Sequence, residues 1–443
     1  MFDVFRNAFK NQDLRKKILY TFFIIIIFRV GSAIPVPFLD TSALQTWFSS
    51  ADSAGNFLSY LNVMTGGAFS NATLFAMSIT PYINASIIIQ LLTVAIPPLE
   101  RLAKEGVEGR KTLNKITRWT TLGLALIQAV GFYFILRNGT ITGDVSALKD
   151  AYKHGFTGFF VAAVIVTMFT AGAALIVWLG EQINIKGIGN GISIILFAGI
   201  VSRGPQAVQS IIGLIGLGGQ KPQYYVLAPL IVVIFVLLIG FVVLMTNAER
   251  KIPVQYAKRV VGRKMYGGQT NYIPIKVAMS GVMPIIFASS IMSIPGTIGS
   301  FVQVKAGGFW EGFFSLFRYN SWFYAILYFL LIIAFNYFYV AIQYNPIEIS
   351  NNLRKNNGAI PGIRPGKPTS DFITRVISKI TFVGAIFLGL IAVFPIAFSM
   401  AVPDAGNMAL GGTTMLIVVG VALETMRSLE SQMMMRHHKG FLE

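Results

Sequence analysis

Hydrophobic and polar positions in this chain are organised in long blocks rather than in short alternation. Ten runs rich in Ile, Leu, Val, Phe and Ala stand at approximately 18–36, 72–97, 117–137, 155–180, 190–208, 225–247, 275–299, 321–343, 374–398 and 408–428. Each is close to the ~20 residues that a helix needs to cross a bilayer. The pattern therefore predicts ten membrane-spanning helices joined by polar segments.

The second run breaks the rules of an ordinary span. Leu74 to Leu92 reads LFAMSITPYINASIIIQLL, with Pro81 inside it and with Asn84, Ser86 and Gln90 on board. A proline removes a backbone donor and clashes with the preceding turn, and polar groups are costly to turn towards lipid. Ile79, Ile83 and Ile87 recur every fourth residue, so they line one helical face. A broken helix with one apolar and one polar stripe suits the wall of a pore, and it equally suits a kinked span packed in a bundle. Span 7 repeats the feature, with Pro284 in GVMPIIFASS.

The glycine-rich segment 212–222 is the natural boundary between residues 1–220 and 221–443, with five spans on each side. Because five is odd, equivalent spans of the two halves cross in opposite directions, which is the parity of an inverted repeat. One broken span at corresponding positions of each half points to a functional site between the halves.

Composition agrees with this class. The chain has 443 residues, 54% of them hydrophobic and 12% charged, with a mean hydropathy of +0.65; soluble domains carry about 25% charged residues. Cysteine is absent and none of the three histidines (His154, His437, His438) falls in an apolar run. That removes disulfides, thiolate metal sites and a histidine proton relay.

The net charge of +18 sits in the connecting segments. With the N-terminus inside, and span-end residues counted to the adjoining segment, inner segments hold 28 of the 36 Lys and Arg and outer ones hold 7, Arg29 lying within span 1. This asymmetry places both termini in the cytoplasm. Arg29 is expected to pair or to reach the outer interface. Span 1 itself continues to Ile34 and Pro35 without a small-residue cleavage site, which distinguishes it from a signal peptide.

Between the spans, Phe57 to Phe69 is external yet uncharged, and is expected to fold back into the protein as a short re-entrant helix. WLGEQINIKGIGNGISI, residues 178–194, has the glycines of a phosphate loop but neither its spacing nor a preceding strand. A tight turn that lets two spans pack closely explains it better. Two cytoplasmic segments, 248–274 and 344–373, are long and basic: the first carries Arg250, Lys251, Lys258 and Arg259, the second Arg354, Lys355 and Arg364. In PGIRPG the paired Pro and Gly stiffen the backbone and present Arg364 at a tip, as docking on an acidic surface requires. Glu424, three residues before Arg427, is expected to form a local ion pair.

Four motifs in order, LFAMSITPYINASIIIQLL, WLGEQINIKGIGNGISIILFAGI, VMPIIFASSI and IPGIRPG, resemble the bacterial SecY family, the channel subunit of the protein translocon. The resemblance covers nearly the whole chain. It implies an all-α polytopic membrane protein, ten helices in two inverted five-helix halves, with an hourglass pore and a lateral gate between spans 2 and 7. The implied pore ring is Ile79, Ile83, Ile87, Ile192, Leu196, Ile286 and Ile417. The segment at about 57–71, with Asn62, Met64, Thr65, Gly66, Gly67 and Phe69, corresponds to the plug. Pro81, Gln90, Gln128, Pro284 and Ser289 correspond to the gate, and the basic residues of 248–274 and 344–373 to a docking platform. The family often has isoleucine where this chain has Leu196, and asparagine in the run that reads KVAMSG here, with Ala278.

The resemblance further implies the accessory subunits SecE and SecG, the SecA motor ATPase, the ribosome, signal peptides and unfolded precursors as partners. It also implies anionic lipids around a bacterial plasma-membrane protein without a cofactor. A ring of aliphatic groups fits that role, since a narrow apolar pore expels water yet yields to a passing chain. Two other classes compete. A secondary transporter also uses inverted repeats and broken helices, but it would put carboxylates or histidines at mid-membrane, and spans 2 and 7 have none. An intramembrane hydrolase would need a catalytic Ser, His or Asp pair inside the spans. The charge asymmetry gives a direct test: reporter fusions at Ser146 and Lys367 should report opposite sides of the membrane, and finding both on one side would overturn the topology.

Overall fold

The structure, a computed structural model, describes residues 6, 8–49, 62, 65–138, 148, 152–153, 155–217, 219, 222–256, 259–261, 264–266, 270–301, 308–317, 321–401 and 412–437. The described elements run, in order, α1 (Gln12–Gly31), α2 (Thr41–Ser49), α3 (Thr80–Ala95), α4 (Pro97–Lys104), α5 (Val107–Asn138), α6 (Gly155–Lys186), α7 (Gly191–Val201), α8 (Gly204–Leu217) and α9 (Gln223–Asn247). There follow β1 (Glu249–Tyr256), β2 (Arg259–Val261), β3 (Lys264–Tyr266), β4 (Thr270–Lys276), α10 (Met283–Phe301) and α11 (Phe309–Leu316). The remaining elements are α12 (Trp322–Gln343), α13 (Pro346–Lys355), β5 (Gly358–Ala359), α14 (Lys367–Ala401) and α15 (Gly412–His437).

Every predicted span has a helical counterpart, and six stretches are long and apolar enough to cross a membrane by themselves. A seventh is the bent pair α3–α4, which turns by 103° at Ile96. The bend has a local cause: two prolines follow Ile96, and a residue before proline is driven out of the helical region, here to φ −112° and ψ 110°.

Several boundaries differ from the sequence expectation. The first span starts at Gln12 rather than 18, because the Asn11 side chain accepts from the Asp13 amide and caps the helix there. The fifth breaks between α7 and α8 at Ser202 and Arg203. In spans 2 and 7 the prolines do not kink a helix. Pro81 stands in the first turn of α3 and Pro284 in the first turn of α10, where a missing N–H costs nothing. Thr65–Ile79, apart from the bridge residue Thr73, and Val277–Val282 are turns, so these lead-ins are not helical. The fold is helical in its spans, as expected, and a small sheet is added in the two long basic segments. β1 pairs antiparallel with β4 (Ile252 opposite Ile273) and with β5 (Gln255 opposite Ala359), so segments 248–274 and 344–373 share one sheet.

The turn after α6 closes as its glycines predict. Asn184 Oδ1 accepts from the Gly191 amide at 2.8 Å, and Asn190 caps α7 by accepting from Ile192 and Ser193. A Cβ on Gly191 would stand 2.0 Å from the Gly180 carbonyl oxygen, so only glycine lets α6 and α7 approach this closely.

The apolar interior is divided. One cluster lies inside the first half, on α5 and α6, around Phe132, Ile165 and Phe169. A second lies inside the other half, on α10, α12 and α14, around Ile285, Ile332 and Ile391. A third joins α1, α3, α6 and α7 of the first half to α15 of the second, around Ile79, Ile195 and Ile417. By contrast, α9 leaves Tyr225, Val226, Val233, Val236, Leu237 and Leu244 exposed, as a lipid-facing helix does.

Candidate functional site at the waist between the halves

The third cluster is where the candidate ring residues meet. Ile79 caps α3 and is 1% exposed, Leu196 on α7 and Ile417 on α15 are buried beside it, and Ile83 and Ile192 pack against them. Five of the seven candidates are thus brought together from three helices. Ile87 and Ile286 are buried but lie outside this cluster. Phe28, Phe75 and Val421 are also buried in it, and Val282 packs against it; Phe28 and Phe75 stack with centroids 5.8 Å apart. Val282, from the lead-in of α10, was invisible to a periodicity argument because it is not on a helix.

The candidate plug segment is described from Asn62 and Thr65 onward; Met64, like most of 50–64, lies outside the described residues. From Thr65 onward it folds back into the protein as turns; Asn62 is helical, and the rest of 57–64, on which most of the expected helix falls, lies outside the described residues. The Asn62 carbonyl accepts from the Gly67 amide at 2.9 Å and its Oδ1 from the Ser70 amide at 2.9 Å. Gly66 and Gly67 have φ of +68° and +87°, which side-chain-bearing residues rarely adopt. Phe69 drives the segment inwards against Phe132, centroids 4.4 Å apart. Gly66 itself sits on a polar ledge: a Cβ there would be 2.6 Å from the Gly199 carbonyl and 2.7 Å from the Ser202 hydroxyl. Arg29 donates to that hydroxyl at 2.9 Å, so the intramembrane charge is met by Ser202 beneath this turn.

Around the candidate gate residues, α10 packs on α12 and approaches α5, while α3 packs on α5. Gln90 on α3 reaches the Tyr339 hydroxyl on α12, a link between halves. Ser289 donates to the Ile286 carbonyl of its own helix at 2.9 Å, and Gln128 is half-buried on α5. Two residue sets escaped the sequence reading. Arg118 pairs with Glu181 across α5 and α6; lone charges near the same end of neighbouring spans were the available signal. Buried Asn336 on α12 accepts from the Ser280 hydroxyl in the α10 lead-in and donates to the Thr381 carbonyl on α14 at 2.9 Å. The expected Glu424–Arg427 pair does not form. Arg427 instead donates to Asn247 at 2.8 Å and to the Thr246 carbonyl at 3.3 Å, because the open carbonyl end of α9 attracts a cation.

In the candidate docking segment 344–373, PGIRPG forms a tight loop with Gly362 at φ +81° and Gly366 at φ +106°. Thr369 donates to the Arg364 carbonyl and Ser350 to the Gly366 carbonyl, both at 2.9 Å, leaving the Arg364 side chain exposed. Arg354 and Lys355 close α13 and are exposed. Arg250 on β1 is exposed and Lys251 lies 3.4 Å from Glu249. Arg259 falls in β2, and Lys258 lies outside the described residues. Burial, reinforced by the nearby Arg427 guanidinium and opposed by Glu249, holds Lys276 below the ordinary lysine range.

Residues 73–426 match the family model described as SecY. The protein translocase subunit SecY of Streptomyces scabiei is 41% identical over 447 residues, covering 100% of both chains. A solved protein-conducting channel is 18% identical with a TM-score of 0.59, covering 94% of this chain and 92% of that one. Sec61 in the canine ribosome–channel complex from the endoplasmic reticulum gives 18% identity and a TM-score of 0.56, with the same coverage. The two structural likenesses show the fold.

The buried Ser280–Asn336 contact yields a double-substitution test. Asn336→Ala leaves a buried hydroxyl without its acceptor and should cost about 1–3 kcal/mol, read as a lower thermal midpoint in detergent. Adding Ser280→Ala should recover much of that loss. Additive losses would mean that the two groups do not interact.

Proposed function

The chain belongs to the SecY family, and on that premise we propose that it is the passive conduit of a bacterial protein translocase. It passes unfolded secretory polypeptides across the membrane and releases apolar segments sideways into lipid. Residues 1–220 and 221–443 act as two clamshell halves. The aliphatic cluster of Ile79, Ile83, Ile192, Leu196 and Ile417, drawn from both halves, supports this reading most. With Ile87 and Ile286 it forms the seal, since narrow aliphatic constrictions exclude water and ions without selecting a sequence. The turn at Asn62, Thr65, Gly66, Gly67 and Phe69, with Met64, serves as the plug. Pro81, Gln90, Gln128, Pro284 and Ser289 mark the gate. A signal peptide leaving through it gains roughly 25 cal/mol for each Å² of apolar surface removed from water.

The driving force comes from outside the chain: a SecA motor, or a ribosome such as the one that accompanies canine Sec61. Both dock on Arg250, Lys251, Lys258, Arg259, Arg354, Lys355 and Arg364. SecE and SecG accompany the channel, anionic lipids attract its basic inner face, and both termini lie in the cytoplasm of a bacterial cell.

Two outcomes test this reading. Replacing Ile83 and Ile286 with Asn should hydrate the seal and raise the conductance of the resting channel in planar bilayers. Leak and transport both at wild-type levels would show that these residues do not form it. Arg364→Glu should insert and fold normally but lose roughly ten-fold or more of motor-driven precursor protection in vesicles, because a reversed charge leaves the partner's acidic group unpaired. Arg354→Glu, away from the rigid tip, should lose less. Equal protection by wild type and Arg364→Glu at matched abundance would remove Arg364 from docking.

A further inference from the structure

The lead-ins to α3 and α10 are held by the same pair of contacts, built from equivalent elements of the two halves. Leu74 stands seven residues before Pro81, and Val277 seven before Pro284. The Leu74 amide donates to the Ile34 carbonyl, just after α1, at 3.0 Å. The Val277 amide donates to the Ala248 carbonyl, just after α9, at 2.9 Å. Their own carbonyls then rest on a glycine. A Cβ on Gly172 of α6 would stand 1.9 Å from the Leu74 carbonyl oxygen, and one on Gly384 of α14 would stand 2.5 Å from that of Val277. In the order of spans, these are the ends of spans 1 and 6 and the middles of spans 4 and 9. A local coincidence would not repeat the amide partner, the glycine and the spacing to the proline together.

We propose that Gly172 and Gly384 are paired positioning residues, seats on which the two gate helices are held in the closed channel. This rests on the channel reading above and adds to it which residues set the resting state. The physical argument is steric. Both obstacles are backbone carbonyls, which cannot rotate aside like a side-chain end, and both amides of the same residues are already tied down. A methyl on either glycine therefore pushes the lead-in off its seat and carries the first turn of α3 or α10 with it. On α3 that first turn carries Ile79 and leads to Ile83 in the waist cluster; on α10 the lead-in carries Val282. Displacement of either lead-in thins the seal from its own side.

The test uses the full chain in complex with its accessory subunits, in planar bilayers and in vesicles. Gly172→Ala and Gly384→Ala should each raise resting conductance several-fold and allow export of a precursor with a shortened signal peptide. Gly123→Ala on α5 is the control, since a Cβ there meets nothing within 4 Å. Variants at 172 and 384 that match Gly123→Ala in both measurements overturn the proposal. If either alanine variant fails to accumulate, hydrogen exchange on the wild-type complex decides instead. The Leu74 and Val277 amides should be protected at rest and should exchange faster once motor and precursor engage; exchange rates unchanged by engagement overturn the seats. Failure of the channel reading itself is separate: wild-type vesicles would protect no precursor, while the resting conductances of the alanine variants would still be measured.

Discussion

Backbone that is neither helix nor closed sheet has no place in hydrocarbon unless protein surrounds it, because each unpaired N–H or C=O there costs several kcal/mol. This constraint governs the two stretches that make the molecule more than a helix bundle. Thr65–Ile79 is mainly turns, and so is Val277–Val282. Both are tolerated because their polar groups are used: the turns at 65–70 bond within the segment, Leu74 and Val277 bond to neighbouring extended backbone, and Ser280 bonds to Asn336. The close packing of Phe69 on Phe132 and of the Gly172 and Gly384 seats keeps lipid away.

From that constraint the site follows. An interrupted span supplies a short helix whose start can be displaced without unravelling a whole membrane helix. Two such helices, α3 and α10, belong to opposite halves, and the aliphatic cluster between the halves contains residues from one and from the other's lead-in. The contacts at this seam are dominated by Ile, Leu and Val, with Gln90 of α3 near the Tyr339 hydroxyl of α12. A seam of this kind can part and re-form at modest cost, since aliphatic contacts have no fixed partner to lose.

The sheet built from segments 248–274 and 344–373 is continuous with this seam. β4 runs directly into Val277 and the α10 lead-in, and β1 ties β4 to β5 beside the Arg364 loop. Beneath the sheet, Ile252, Val254, Ile360 and Ile377 form a small core that includes Met279 of the lead-in. Ordered secondary structure therefore runs from beside the Arg364 loop to the start of α10.

The block pattern of apolar residues located the helices, because hydropathy acts on each segment without reference to the others. Pro81 and Pro284 also marked where two helices begin after non-helical lead-ins, and the glycines of 187–191 announced the close approach of α6 and α7. Their geometry was not legible. Whether a proline kinks a span or begins a helix depends on what precedes it, and LFAMSI is equally apolar as helix or as turn buried in protein. The pairing of Gln255 with Ala359, the turn of Arg427 towards α9 instead of Glu424, and the carbonyls of Leu74 and Val277 on Gly172 and Gly384 join residues far apart in sequence. Local periodicity carries the face and the length of each element but not the register between distant ones, and only packing in three dimensions selects which groups meet.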